Sequence, residues 1–254
     1  MKIKGSYPQI RPMNLRLLLM MGGGKQGRPM CGRYQLDVEL ESGAELLGAI
    51  LEADFEPRYN AAPMQMLPVV RRRHQTRSVA PLRWGLVPDW ANDESFAHKL
   101  INARSETVVE KPAFKAAFRF GRCLVPTTGF YEWKTTGRYK QPHLISMRST
   151  PIFAMAGLWS PWSDGNQALE TFTVLTVDPR DALAGLHDRM PVILDPGAQQ
   201  TWLNPESSPQ ELTALLQPRR ADELKIFPVS ERVNSVKNDD PACARAVPVQ
   251  QSLI

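Results

Sequence analysis

Histidine and cysteine are scarce in this chain of 254 residues, with four and three copies respectively. The cysteines, Cys31, Cys123 and Cys243, form no C-x-x-C pair, and their odd number leaves at least one unpaired. Neither a disulfide framework nor a thiolate zinc site is suggested, so no metal and no cofactor is expected. No apolar run approaches the ~18 residues that a membrane span requires. There is no internal repeat and no low-complexity linker. Acidic residues are missing altogether from positions 1–29. These absences point to one soluble domain of the reducing cytoplasm, with no membrane partner.

The acid-free stretch carries Lys2, Lys4, Arg11, Arg16, Lys25 and Arg28 and ends in Gly22-Gly23-Gly24-Lys25-Gln26-Gly27. A packed core has no use for such a glycine run. As a secretory signal the stretch fails: its apolar run, residues 17–21, falls short of the roughly 7 to 15 residues of a usual h-region, and no A-x-A-like cleavage site follows. Residues 1–29 are therefore expected to be a flexible basic leader, either an over-extended gene start or a removable segment, ahead of a domain at 30–240 and a tail at 241–254. The charge argument changes with it. The whole chain is +5, but beyond residue 30 there are 25 basic against 26 acidic residues. Global basicity thus says nothing about nucleic acid, and any such contact needs a local patch. Arg71-Arg72-Arg73 with Arg77 and Arg83 is one such patch, although a solvated hairpin tip explains it more simply.

The chemistry begins at Met30-Cys31-Gly32-Arg33. Removal of everything through Met30 would make Cys31 an N-terminal 1,2-aminothiol. Its α-amine, with a reference pKa of about 7.7 to 8.0, is an available nucleophile near neutral pH, unlike lysine at about 10.4. An aldehyde condenses with such a group through nitrogen and sulfur together and closes a five-membered thiazolidine.

Short β-like runs recur between proline, glycine and asparagine, at residues 66–70, 79–86, 123–125, 129–133, 143–147, 152–158, 171–177, 191–194 and 225–229. Helical patterns are fewer: 44–51, 111–118, 182–186 and 210–216, the last after the capping signal Ser207-Ser208-Pro209. Strand-dominated order without regular βαβ alternation predicts an α+β domain on a curved, largely antiparallel sheet.

Several polar clusters exceed what a core needs. In Arg58-Tyr59-Asn60-Ala61-Ala62-Pro63, Asn60 is either a turn former or a site residue. Asn102, Arg104 and Glu106 fall within five positions, where a capping cluster is the plain alternative. Alternation along a strand sends Phe130, Glu132 and Lys134 to one face and Tyr131 and Trp133 to the other. A carboxylate beside aromatic rings is desolvated, which raises its pKa toward the range useful for proton transfer. An exposed edge-strand glutamate is the alternative. His187, between an expected helix and Asp188-Arg189, is the most interesting histidine; His74, His98 and His143 read as surface or packing residues.

Together these segments resemble the SOS-response-associated peptidase family, whose members are abasic-site processing proteins. The matching stretches are MCGRY at 30–34, PRYNAAP at 57–63, LRWGLVPDW at 82–90, INARSET at 101–107, RCLVPTTGFYEWK at 122–134, GLHDRMPVIL at 185–194 and VSERVNSVKN at 229–238. Each is weak alone; seven in order across nearly the whole domain are specific.

The resemblance implies a single-domain fold with a barrel-like core and a few peripheral helices. It implies that Cys31 forms a thiazolidine with the ring-opened aldehyde of an abasic site in single-stranded DNA, and that self-cleavage exposes Cys31. It implies Asn60 beside that linkage, Glu132 and His187 as the acid/base pair, and Arg33 and Arg104 on flanking phosphates. Asn102, Trp90 and Trp84 lie in matching motifs as DNA-facing candidates, although Trp84 also suits a core. A monomer suffices for one lesion per chain. The chain departs from the family pattern in the 30 residues ahead of Cys31 and in Ala91, where relatives often carry a bulky aromatic wedge. Two other classes fit parts of the sequence. Class II amidotransferases share Met-Cys-Gly but continue with a hydrophobic strand instead of Arg33-Tyr34-Gln35. A catalytically silent single-strand DNA binder would need only the basic residues.

Overall fold

The computed structural model describes residues 31–38, 47–73, 75–179, 183 and 185–248. Within them the expected strands form as long, β-branched and aromatic runs. Among the longest are β4 (Met66–Arg73), β5 (Thr76–Trp84), β10 (Phe153–Ser163) and β11 (Ala168–Val177). With β7 (Arg122–Thr127) they are bonded in the order β11-β10-β7-β4-β5, all antiparallel. A parallel pairing of β5 with β11, through Arg83↔Thr171 and Trp84↔Phe172, returns the sheet to its own start. The result is a closed five-stranded ring, and closure removes the unpaired edges that an open sheet leaves. One face of the ring carries Leu67, Val69, Leu82, Val125, Met155, Phe172 and Val174 in register, and Leu124, Ala156 and Leu158 lie on the other, all buried.

A second sheet of five strands packs at one end. Its order is β14 (Leu224–Pro228), β9 (Tyr139–Met147), β8 (Gly129–Thr136), β1 (Tyr34–Leu36) and β3 (Arg58–Ala61). The chain crosses from ring to second sheet at Thr127-Thr128-Gly129. Gly129 is required there, because a Cβ would lie 2.8 Å from Leu144 Cδ1 and 3.1 Å from the Ile145 carbonyl oxygen. Short strands fill the margins: β2 (Ile50–Leu51) beside β5, β6 (Asn102–Arg104) beside β11, β12 (Met190–Pro191) on β11 and β13 (Ile193–Leu194) on β10. Helices α1 (Pro112–Phe120), α2 (Pro196–Leu203) and α3 (Pro209–Ala214) lie outside. The architecture is α+β on a largely antiparallel, barrel-like core, as expected.

Four expectations change. The helix read at 44–51 ends in strand β2, because Ile50 and Leu51 pair in parallel with Ser78 and Val79; residues 39–46 lie outside the described residues. Helix α2 was not anticipated, although Asp195 caps it and Pro196 opens it. Arg71 is not part of a solvated tip. It is 1 % exposed, pairs with Glu170 at 2.6 Å and Glu52 at 3.7 Å, and stacks over Trp159, while Arg83 pairs with Glu94. Packing also continues into the segment read as a tail, where Cys243 is buried and Ala246 pairs with Val229. The leader at 1–29, His74 and residues 182 and 184 of the helix read at 182–186 lie outside the described residues. No helix among the described residues is long and apolar enough to cross a membrane.

Trp84 belongs to the core. It packs between Tyr34 and Phe172, and its indole N–H donates to the Ile101 carbonyl at 2.8 Å, which ties β5 to the start of β6. Trp84→Ala is expected to cost about 3 to 5 kcal/mol of stability, measured by urea unfolding; a loss below about 1 kcal/mol, the ordinary surface scale, would contradict this placement.

Candidate active site

β8 delivers the central carboxylate by simple alternation. Phe130 enters the main core and Tyr131 the smaller cluster of Leu144, Val229, Val233 and Cys243, so Glu132 returns to the Phe130 face at the mouth of the ring. β1 runs antiparallel beside it, with Tyr34 opposite Phe130, and the Tyr131 N–H donates to the Arg33 carbonyl at 3.0 Å. That register carries Cys31 alongside Glu132. The Cys31 main-chain N–H donates to Glu132 Oε1 at 3.1 Å, and the Cys31 thiol also turns to this carboxyl.

Both groups are shut away from water, at 4 % exposure for Cys31 and 3 % for Glu132. Burial raises the Glu132 carboxyl from 4.5 to about 8, against the bonds from Cys31, which pull it down. Burial and the neighbouring Glu132 raise the Cys31 thiol well above its ordinary value. At neutral pH the pair is therefore a carboxylic acid beside a thiol, a charge-free arrangement with a proton to give.

His187 stands on the far side of the carboxyl, with Nε2 3.8 Å from Glu132 Oε2. Its Nδ1 accepts the Arg189 main-chain N–H at 3.2 Å, so the neutral ring carries its proton on Nε2, toward Glu132. Arg189 fixes that loop. Its guanidinium binds both Glu106 oxygens at 2.7 Å and the Thr176 carbonyl at 2.6 Å, and also pairs with Asp178. Glu106 thus serves as a buried arginine's partner, a role unmarked in the sequence except by its place in the shared motif.

The two asparagines separate clearly. Asn60 is fully buried, and its Nδ2 donates to the carbonyls of Val233, Ser235 and Asn238 at 3.2, 2.9 and 2.7 Å. Its Oδ1 accepts from Arg33 Nη1 at 2.9 Å. The Nδ2 donors are thus taken up by the 233–238 strap and the Oδ1 turns to Arg33. Asn102, by contrast, brings Nδ2 to 3.5 Å from the Cys31 carbonyl oxygen. Arg33 also donates to Val233 O at 2.7 Å, so the strap holds it at the cleft edge. Arg104 shares a β6 face with Asn102 and is exposed. Trp90 is 49 % exposed, edge-on to Phe96, and lies apart from the residues that line the cleft.

The cleft measures about 630 Å³, and its walls include Arg33, Glu132, Trp133, Lys140, His187 and Asn234. Trp133, Lys140 and Asn234 were not singled out in the sequence, although Trp133 and Asn234 lie in shared motifs; the Trp133 indole N–H donates to Asn234 Oδ1 at 2.7 Å. No cluster of histidine, cysteine, aspartate or glutamate suited to a metal occurs among the described residues.

Comparison with known proteins agrees with these motifs. The family model described as SOS response associated peptidase (SRAP) matches residues 30–236. Abasic site processing protein YoqW of Bacillus subtilis is 40 % identical over 84 % of this chain and 97 % of its own length. Abasic site processing protein HMCES of Gallus gallus is 34 % identical over 78 % of this chain and 68 % of its own. Among solved structures, a protein from Bacteroides thetaiotaomicron superposes with a TM-score of 0.78 at 27 % identity, covering 85 % of this chain and all of that one. A phage-related protein from Bordetella bronchiseptica gives 0.65 at 30 % identity, over 79 % and 95 % of the two chains.

Because the folded state holds a proton on Glu132 that the unfolded chain releases, stability falls as the pH rises from about 4.5 to about 8. Glu132→Gln is expected to remove that decline, raising Tm above the parent near pH 8 with a smaller difference near pH 4.5. Equal Tm differences at both ends would show that the carboxyl is not held neutral.

Proposed function

Because this chain belongs to the SOS response associated peptidase (SRAP) family, we propose that it processes abasic sites in single-stranded DNA by covalent capture on Cys31. The observation that carries the reading is the Cys31 nitrogen and thiol facing one buried carboxyl that burial keeps protonated.

The first step frees the amine. Cys31 has φ +29°, a backbone conformation that L side chains rarely adopt, and this favours relief by acyl transfer. The thiol sulfur attacks the Met30 carbonyl, the C–N bond breaks as Glu132 protonates the departing nitrogen 3.1 Å away and takes the thiol proton in return, and a thioester forms. Water then hydrolyses the thioester, which leaves a Met30 carboxylate and a free Cys31 aminothiol. The leader at 1–29 leaves with Met30, and the chain from Cys31 onward is the working domain.

Capture follows at the same atoms. The Cys31 amine adds to the C1′ aldehyde of the ring-opened abasic site, and the carbinolamine loses its oxygen as water with a proton from Glu132. General acid assistance of this kind is worth about 10²- to 10⁴-fold. Sulfur then adds to the imine carbon, and the thiol proton passes to nitrogen. The net change is aldehyde plus aminothiol to thiazolidine plus one water. Glu132 gives the first proton in this reading, since His187 directs an N–H at it and serves to restore its proton.

Asn102 takes the place beside the linkage. Asn60 instead holds the strap that carries Arg33. Arg33 and Arg104 hold phosphates, a contact that positions the lesion without reading sequence. Trp90 offers an exposed ring on which a base stacks, in place of a wedge at Ala91. A single strand bends into such a cleft without unstacking a duplex, so single strands are the preferred substrate. A monomer in the cytoplasm, recruited to damaged DNA, needs neither metal nor cofactor for this chemistry.

Denaturing electrophoresis after incubation with a single-stranded oligonucleotide bearing one abasic site tests the reading. The parent is expected to shift to a covalent adduct and Cys31→Ala to give none while still binding the strand. Asn102→Ala should slow capture with little loss of Tm, whereas Asn60→Ala should lower Tm by releasing the strap. Full covalent capture by Cys31→Ala would overturn the proposal.

A further inference from the structure

The β8–β9 hairpin extends past the site as a basic arm. β8 continues four residues beyond Glu132, about 13 Å at the usual strand rise. It turns through Gly137 and Arg138, where Gly137 has φ +59°, the left-handed value that the first central residue of a tight hairpin turn requires. Trp133 is paired with Pro142, Lys134 with Gln141 and Thr135 with Lys140. Opposed residues share a face, so Lys140 lies with Trp133 and Thr135, and all three line the cleft. Lys134, Arg138 and Lys140 are exposed, and none has a hydrogen-bond or ion-pair partner among the described residues. At the tip, Glu231 accepts the Tyr139 hydroxyl at 2.6 Å. The basic cluster first noticed in the sequence is differently placed: Arg71 and Arg83 are ion-paired at the ring, whereas the three hairpin cations are unpaired and run outward from the reacting atoms.

We propose that this arm is a second binding surface for single-stranded nucleic acid, in which Lys140 on the cleft face, Arg138 at the tip and Lys134 on the opposite face contact phosphates of a strand that leaves the cleft and wraps the hairpin. The proposal rests on the abasic-site reading for its geometry, since the strand must pass Glu132 to reach the arm. Cations on one exposed ribbon continuous with the cleft wall suit a phosphate backbone, and such contacts add affinity without sequence preference. The arm lies outside the reacting atoms, so it contributes to holding the strand and not to the condensation itself.

The test uses intact single strands without a lesion, so that binding is read apart from capture. The parent and the triple variant Lys134→Ala, Arg138→Ala, Lys140→Ala are titrated against oligonucleotides of about 4 and about 16 nucleotides, the span of common single-strand site sizes, over a range of salt. For the longer strand the slope of log K against log salt is expected to become shallower by about 2, since each phosphate contact contributes about 0.7. For the shorter strand, confined to the cleft, only the Lys140 contact is at stake, so the slope should change by no more than about 0.7. Lys134→Arg with Lys140→Arg should keep the parent slope. Equal slopes for parent and triple variant, with the parent still capturing abasic DNA, overturn the arm alone. Absence of both binding and capture by the parent overturns the arm together with the reading beneath it.

Discussion

The site depends on one carboxyl kept out of water. Glu132 is buried because β8 must place Phe130 and Tyr131 in two different apolar clusters, which leaves position 132 at the ring mouth facing Cys31. Isolation from solvent makes the carboxyl a neutral acid, and a neutral acid tolerates a neutral thiol beside it. An ionised carboxylate at that depth would need a cation for compensation. The nearest basic group is His187, whose ring is held with its N–H directed at the same carboxyl. The carboxyl, the thiol and the imidazole therefore share one small volume, an arrangement suited to the condensation proposed above.

The rest of the fold serves to hold these three in register. Closure of the ring by β5 on β11 brings β6 to β11, and β6 carries Asn102 toward the Cys31 carbonyl. The far end of β11 supplies Thr176 and Asp178 to Arg189, which steadies the His187 loop through Glu106. Asn60 performs the matching task on the opposite wall, where three carbonyls of the strap converge on its amide and Asp239 accepts the main-chain N–H groups of Tyr59 and Asn60. Much of the polar side-chain chemistry near the cleft is thus structural support for a few reacting groups.

The strands were legible because their residues are legible: runs such as those in β10 and β11 are β-branched and aromatic between glycine and proline, and nothing local competes. Ring closure was not, since a parallel pairing of Trp84 with Phe172 depends on contacts far apart in the chain. The same limit explains Arg71, whose neighbours Arg72 and Arg73 suggest solvent while its partners Glu52 and Glu170 are distant in sequence. Glu132 and Cys31 could be singled out from local pattern and chemistry. The two asparagines could not be distinguished, because the bonds that hold the Asn60 amide come from the 233–238 strap, which meets it only in the folded chain. Arg189 was passed over because buried arginines look like surface ones until their carboxylates are found.

The proposed chemistry turns on a free Cys31 aminothiol that captures the aldehyde of an abasic site. The most direct measurement is the intact mass of the full-length protein before and after incubation with single-stranded DNA carrying one such site. The expected result is a free-protein mass that begins at Cys31 and, after incubation, an added species equal to protein plus DNA minus one water. A protein that begins at Cys31 and yet gains no DNA mass would contradict it.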